Sequence, residues 1–455
     1  MKKLGDFIEL KIASIFLITL PYLSFNYENI IHSPFFSFTQ LMFIFVFILL
    51  IDVLIKWILF KLNEKIHTII SLFIVFISIL FFYGLYISSF IQKEFKENFH
   101  IIIRGRSIIE FSIILIILLI LILRKKTIYY KYLNVFLVLF SGISLFTSII
   151  NTNKKIKEEF KSSFVSIPLN NNPVKPILLI ISDEYTSPDG LYEIYKDSSI
   201  YQFSNKLTNK GWITKNNFYS YETSTIHSLS SLFNFNLSKK NQYHNKEIRN
   251  IGLTKLVHAS IADSLEKKKV KIVNFGIFNL GKHPYLNRLY PYPNSFIEDI
   301  MMQTLYYTIQ FNTGNFKKIG FTSSYYPMET HNKYIFNHLA DTLNILTNKK
   351  IFAYIHLFMP HGPMQYMPNF PHRNENNILN YKAYWDFTNH KLNTLLTELI
   401  RGNKYRIILT GDHGYRSEKR INPYYTFCAL YGFNQESIDK INSVQDLGSL
   451  INGGF

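Results

Sequence analysis

Five apolar runs, near residues 9–26, 36–60, 67–90, 107–123 and 129–150, fill the first third of the chain. Each is about long enough to cross a hydrocarbon core, which takes roughly 20 residues of helix. Runs of that length with almost no charge are poor candidates for soluble helices, so the pattern predicts a bundle of about five transmembrane helices over 1–150. Glu9 and Lys11 stand at the edge of the first run and Pro21 interrupts it. No small-residue cleavage site follows, so a retained anchor is expected there and not a removed signal peptide. Lys2 and Lys3, Lys61 and Lys65, and the Arg124-Lys125-Lys126 cluster fall in alternate loops, which places those loops in the cytoplasm. The chain after Ile150 is then expected on the outer face of a bacterial-type inner membrane. The loop around 91–106, with Lys93, Lys96, Arg104 and Arg106, departs from the alternation and reads as an amphipathic segment lying on the outer leaflet.

Beyond the membrane segments the period changes. Residues 151–173 are polar and lysine-rich and end in an Asn run, the signature of a juxtamembrane helix followed by a linker. From 174 to 455, short apolar runs alternate with longer amphipathic stretches. Strands are predicted at 177–182, 269–276, 350–357, 405–411 and 424–431, and helices at 198–210, 225–234, 253–268, 331–348 and 380–402. Strands separated by helix-length segments predict an α/β domain with a mainly parallel sheet covered by helices on both faces.

Several predicted strands end in polar clusters. ILLIISDEY places Asp183 and Glu184 past one strand, YIHLFMPHGP carries His356 and His361, and YRIILTGDHG delivers Asp412 and His413. ETSTIHSLSSLF starts a helix at Thr225. Carboxylates and imidazoles are metal ligands, and a hydroxyl among them is a candidate nucleophile. In an open α/β sheet, residues past the carboxyl ends of the strands converge on one edge. Taken singly, each cluster has a plainer reading. Glu184 is an acidic cap of a turn, Thr225 an N-cap, His356 a core histidine, and Asp-His-Gly a turn. Asp183 and Glu184 alternate in direction if the strand continues, so both cannot face one site. Thr223 and Ser224 are register alternatives to Thr225, and His227 reads as a packing residue. Gly411 and Gly414 are expected to let the backbone turn sharply around Asp412 and His413.

These four motifs, in this order, resemble the alkaline phosphatase and sulfatase superfamily. The likeness is strongest to its membrane-anchored branch, the lipid A phosphoethanolamine transferases and, more distantly, the lipoteichoic acid synthases. It covers roughly residues 174 to 432. The resemblance implies that Glu184, Thr225, Asp412 and His413 hold a divalent metal, zinc first and manganese second, with Asp183 in support behind them. It implies Thr225 as the nucleophile at the head of Thr225-Ile226-His227-Ser228. His361, with His356, would serve substrate or a second metal, and His361 would also protonate a leaving group. Those families usually carry another histidine soon after Asp-His-Gly, whereas YRSEKRINPYY contains none. Arg416 and Arg420 occupy that stretch, where they read as solvated surface cations or as groups that neutralise phosphate.

The remaining composition narrows the function. A formal net charge of +18 comes without a nucleic-acid-binding motif and with scattered basic residues, so no nucleic acid is expected and attraction to an anionic membrane surface fits better. The single cysteine, Cys428, excludes an internal disulfide and reads as a small buried hydrophobe. It lacks the C-x-P-x-R setting of true sulfatases, which disfavours sulfate-ester hydrolysis. The resemblance therefore implies a transferase that moves a phosphoethanolamine- or phosphoglycerol-like group from a membrane phospholipid to a glycan or lipid acceptor through a phospho-Thr intermediate. The alternatives are a phosphodiesterase of the same superfamily, in which water resolves the intermediate, and an inactive membrane protein that uses the domain for binding.

Overall fold

A computed structural model describes residues 174–235, 252–253, 255–286, 328–345, 350–362 and 377–455, with Leu50 and Leu54 as isolated positions. The chain divides into two compact units, Met1–Phe160 with Tyr292–Ser324 and Lys161–Pro291 with Tyr325–Phe455. The described sheet and helices belong to the second. The spans expected over 1–150 and the stretch 151–173 lie outside the described residues, save those two leucines. Among the described residues no helix is long and apolar enough to cross a membrane.

In chain order the unit contains β1 (Ile177–Ser182), α1 (Pro188–Tyr195), α2 (Gln202–Thr208), β2 (Ile213–Tyr219), α3 (Thr225–Asn234), α4 (Ser260–Lys267), β3 (Lys271–Phe275), α5 (Met328–Asn344), β4 (Ile351–Leu357), α6 (Ile378–Leu399), β5 (Arg406–Gly411), β6 (Tyr425–Tyr431), α7 (Gln435–Asp439) and α8 (Leu447–Gly453). The sheet order is β2-β6-β5-β1-β4-β3. β1 pairs parallel with β4 and β5, and β3 pairs parallel with β4. β6 runs antiparallel to both β5 and β2, so the mainly parallel sheet is a mixed one.

β1, β4 and β5 are buried along their whole length, which is why they read as unbroken apolar runs and not as alternating ones. Leu178 and Ile180 of β1 join Ile355 of β4, Leu409 of β5, Leu339 of α5 and Trp385 and Leu392 of α6 in one core. On the other face Phe233 of α3 packs edge-on against Tyr354 of β4, ring centres 5.1 Å apart. Register fixes the functional edge. Ser182 lies level with Leu357 on one side and Gly411 on the other, so the residues that come next, Asp183, Phe358 and Asp412, leave the sheet side by side.

Candidate metal centre

The turn after β1 sets the geometry. Glu184 adopts a left-handed backbone with φ of 59°, which costs a residue with a side chain roughly 1–2 kcal/mol. Hydrogen bonds on both sides hold it there. Its N–H donates to Asp412 Oδ1 at 2.9 Å, and its carbonyl accepts from the Tyr381 hydroxyl at 2.7 Å. The same hydroxyl accepts the Thr186 N–H at 2.9 Å. Burial keeps Tyr381 a neutral phenol, with its pKa raised well above the usual value. The reversal sends the two adjacent carboxylates to different partners.

Asp183 turns toward α3. Its Oδ1 accepts the Thr225 hydroxyl at 3.2 Å, and its Oδ2 lies 3.4 Å from His356 Nε2. Tyr354 completes the chain with its hydroxyl 2.8 Å from His356 Nδ1, which suits a tautomer with the proton on Nε2. His356 is therefore a buried partner of Asp183. Burial by itself would raise the Asp183 carboxyl, but His361, His356 and His413, when their rings carry charge, together with the hydrogen bond from His356, hold it below the usual carboxylate range. Two residues of α5 fasten the end of β4 that carries His356. His331 Nε2 lies 2.8 Å from the His356 carbonyl, and the Asn332 amide brackets the Phe358 backbone, accepting its N–H at 2.9 Å and donating to its carbonyl at 3.1 Å.

Glu184 turns the other way. Its Oε1 accepts both the backbone N–H and the Nε–H of Arg416, each at 3.1 Å, and its Oε2 lies 3.7 Å from His361 Nε2. Burial opposes the charge on Arg416, but attraction and hydrogen bonding to Glu184, with help from Asp183 and Asp412, hold the guanidinium firmly protonated.

Asp412 and His413 follow β5. Asp412 Oδ1 accepts N–H groups from Glu184 and from His413, the latter at 3.0 Å. The Asp412 carbonyl accepts hydroxyls from Ser220 and Ser228, both at 2.8 Å, so Ser228 ties the first turn of α3 to the end of β5 while Thr225, at the start of that turn, meets Asp183. The flanking glycines act differently from expectation. Neither Gly411 nor Gly414 has a left-handed backbone; what they supply is space. A Cβ on Gly411 would lie 2.1 Å from Thr426 Oγ1, and one on Gly414 would lie 2.5 Å from the Tyr425 carbonyl oxygen.

The residues converge on a candidate cation site. Asp183, Asp412 and His413 offer ligand atoms that all lie within 4.8 Å of one another. His413 Nδ1 sits 2.9 Å from the Gly414 carbonyl, which takes the ring proton there and leaves the Nε2 lone pair facing Asp412 Oδ2 at 3.4 Å and Thr225 Oγ1 at 3.5 Å. Asp412 Oδ2 is buried with no hydrogen-bond partner, an arrangement that is costly unless something supplies positive charge. Two acceptors aimed at each other beside a second carboxylate, that of Asp183, fit a divalent ion, and this O/N donor set suits zinc or manganese.

Of the residues singled out in the sequence, Asp183, Thr225, His356, Asp412 and His413 meet in this cluster. Glu184, which the resemblance assigns to the metal, contributes its backbone while its carboxylate engages Arg416 and His361. Ser224 holds the cap position of α3 without a side-chain cap bond, and within the Thr223-Ser224-Thr225 run it is the Thr225 hydroxyl that reaches Asp183. His227 is pushed down to about 4 by burial, by Lys255 and by His413, and so is neutral near pH 7. Cys428 is buried in β6, and burial pushes its thiol up to about 12. Sequence reasoning passes over Tyr381, Ser220 and Asn332, whose surroundings carry no motif.

A family model described as Sulfatase matches residues 175–438. Among solved structures, a protein in the alkaline phosphatase superfamily from Vibrio parahaemolyticus is similar at 13% identity and TM-score 0.40, covering 63% of this chain and 69% of that one. The C-terminal periplasmic domain of EcEptC from Escherichia coli, in complex with Zn, is similar at 15% identity and TM-score 0.36, covering 64% and 87%. The integral membrane protein lipooligosaccharide phosphoethanolamine transferase A (EptA) from Neisseria meningitidis is similar at 13% identity and TM-score 0.37, covering 98% and 92%. No curated protein sequence matches the chain.

Proposed function

Because the chain belongs to the sulfatase family, we propose that it is a membrane-anchored phosphotransferase whose nucleophile is Thr225 and whose domain faces the outer side of the inner membrane. One observation carries the reading. The Thr225 hydroxyl, in the first turn of α3, lies 3.2 Å from Asp183 Oδ1 and 3.5 Å from His413 Nε2, beside the unpartnered Asp412 Oδ2.

Asp183, Thr225, Asp412 and His413 would hold a divalent cation, which when bound lowers the pKa of a hydroxyl and offsets the negative charge of phosphate. Thr225 stands where a phosphoryl group is already favoured, since the free N–H groups and dipole of a helix start attract anions. Asp183, held by His356, orients the hydroxyl. The Thr225 Oγ1–phosphorus bond forms as the bond from phosphorus to the donor lipid's alcohol oxygen breaks. An acceptor hydroxyl then displaces Thr225 and restores its hydroxyl. The net proton passes from the acceptor to the released alcohol, so no redox partner is required. The apolar runs before residue 150 support a site held at a bilayer surface, where a phospholipid donor is at hand.

The test is to incubate the full-length protein with head-group-labelled phospholipid, quench and map the label. A single labelled peptide containing Thr225 is expected, with none in Thr225→Ala. Label on Ser224 or Thr223 corrects the register, whereas a turnover-competent protein that never takes up label refutes the covalent route.

A further inference from the structure

The Glu184–Arg416–His361 lobe stands beside the cation cluster and is built for a different task. Arg416 is gripped by one carboxylate oxygen at two points, backbone N–H and Nε–H. One terminal nitrogen lies 3.3 Å from His361 Nε2. His361 Nδ1 hydrogen-bonds to the Gly362 carbonyl, which places that ring's proton on Nδ1 and leaves Nε2 as the acceptor for Arg416. The second terminal nitrogen, Nη1, has no partner among the described residues. The side chain is partly open to solvent, with 41% relative exposure against 5% for Glu184, so the head group sits at a rim and not in the core.

Charge gives the lobe its purpose. Three buried carboxylates, Asp183, Glu184 and Asp412, bring three negative charges to this edge, and Arg416 brings one positive. With neutral imidazoles the sum is −2, which one divalent cation only cancels. A phosphate ester arriving at such a site gains attraction from a cation that still has donors to offer, and a planar guanidinium matches two phosphate oxygens at once. The left-handed backbone at Glu184 is what swings its carboxylate away from Asp183 and onto Arg416, and strain of this kind persists where the surroundings hold a residue for a task.

We propose that Arg416 is a binding residue for the non-bridging oxygens of the phosphate group, and that Glu184 is the positioning residue that holds it there and not a metal ligand. This rests on the phosphotransferase reading only for the source of the phosphate; the binding site itself stands on the geometry of the lobe.

The experiment uses the full-length, metal-loaded protein in detergent and measures three quantities. These are metal content by elemental analysis, affinity for inorganic phosphate, and affinity for a short-chain phosphatidylethanolamine. Replacing a charged hydrogen-bonding group should weaken anion binding at least roughly tenfold in Arg416→Ala, with Arg416→Lys between it and wild type because a point charge remains. Glu184→Gln should weaken the anion comparably while keeping the metal content of wild type, and Asp183→Asn should lose metal. Weakening of the lipid alone assigns Arg416 to the ester, and weakening of phosphate alone assigns it to the free anion. Unchanged affinity for both ligands in folded Arg416→Ala overturns the binding role. Loss of metal in Glu184→Gln overturns the positioning role. Thr225→Ala should keep Arg416-dependent phosphate binding, so failure of the covalent mechanism and failure of this inference give different patterns.

Discussion

The Tyr381 hydroxyl bridges the turn after β1, donating to the Glu184 carbonyl at 2.7 Å and accepting the Thr186 N–H at 2.9 Å. Its ring stacks on Tyr415 with centres 4.0 Å apart, which links this turn to the segment after His413. One phenol thus clamps the two loops that bring the carboxylates and Arg416 together.

Tyr381→Phe keeps the ring and deletes the clamp. It leaves a buried N–H and a buried carbonyl each short of a partner, at a cost of about 1–3 kcal/mol. The melting temperature should fall, and turnover should fall further than folding alone explains, because Asp183 and Glu184 lose their fixed directions. Activity measured well below the melting transition checks this; a variant that is stable and fully active shows that the turn needs no clamp.

Gly411→Ala should be costly for a steric reason. The added Cβ would lie 2.1 Å from Thr426 Oγ1 and 2.9 Å from Tyr185 Cβ, and the first of these atoms donates to the Tyr185 carbonyl and cannot easily withdraw. Overpacking of this kind costs roughly 1–3 kcal/mol. Chemical denaturation should show a lower midpoint with an unchanged slope.

Asp412→Asn should lower bound metal while retaining the fold. The amide can still accept from the Glu184 and His413 N–H groups through its oxygen, but it puts a neutral NH₂ where the unpartnered Oδ2 now stands. His413→Gln should behave alike. Chelation of wild type should lower its melting temperature, since an ion bound only by the folded state stabilises it by mass action. Full metal content in either variant would remove that residue from the ligand set.

Acid should destabilise the domain through His331. Burial pushes its imidazole down to about 4, against 6.5 for an exposed histidine, and its Nε2 contacts the His356 carbonyl. A folded-state value below the unfolded one means that the unfolded chain binds the extra proton first. Stability is fully present above pH 6.5, falls as the pH drops toward 4 and then levels, with a span on the order of 3 kcal/mol. His331→Asn should flatten that slope; an unchanged slope assigns it to other groups.

The parts of this fold that sequence makes legible are those whose burial leaves a pattern. β1, β4 and β5 are covered on both faces and read as apolar runs, and α3 begins at Thr225 as its Thr/Ser-rich start implies. β2, ITKNNFY, escapes the pattern because it is an edge strand, largely half-exposed, with two asparagines in its middle. The antiparallel direction of β6 has no signature either, since composition records burial and not orientation. At the site, alternation correctly separates Asp183 from Glu184. It does not say which of them turns inward, because a left-handed residue ends the strand's periodicity at that point. Arg416 looks like a surface cation in sequence for a related reason, as its partner carboxylate lies 232 positions away.

The register that sets Ser182 level with Leu357 and Gly411 also bears on assembly. Glu184 and Asp412 are 228 positions apart, and the loop joining them must close before either finds the other, a kind of contact that forms slowly. The centre therefore does not exist in a chain that has not yet inserted β5 between β1 and β6. Uptake of a divalent ion at the candidate centre would then be a late event that reports completed folding, and a polypeptide cut just before residue 412 would carry five of the six strands and neither Asp412 nor His413.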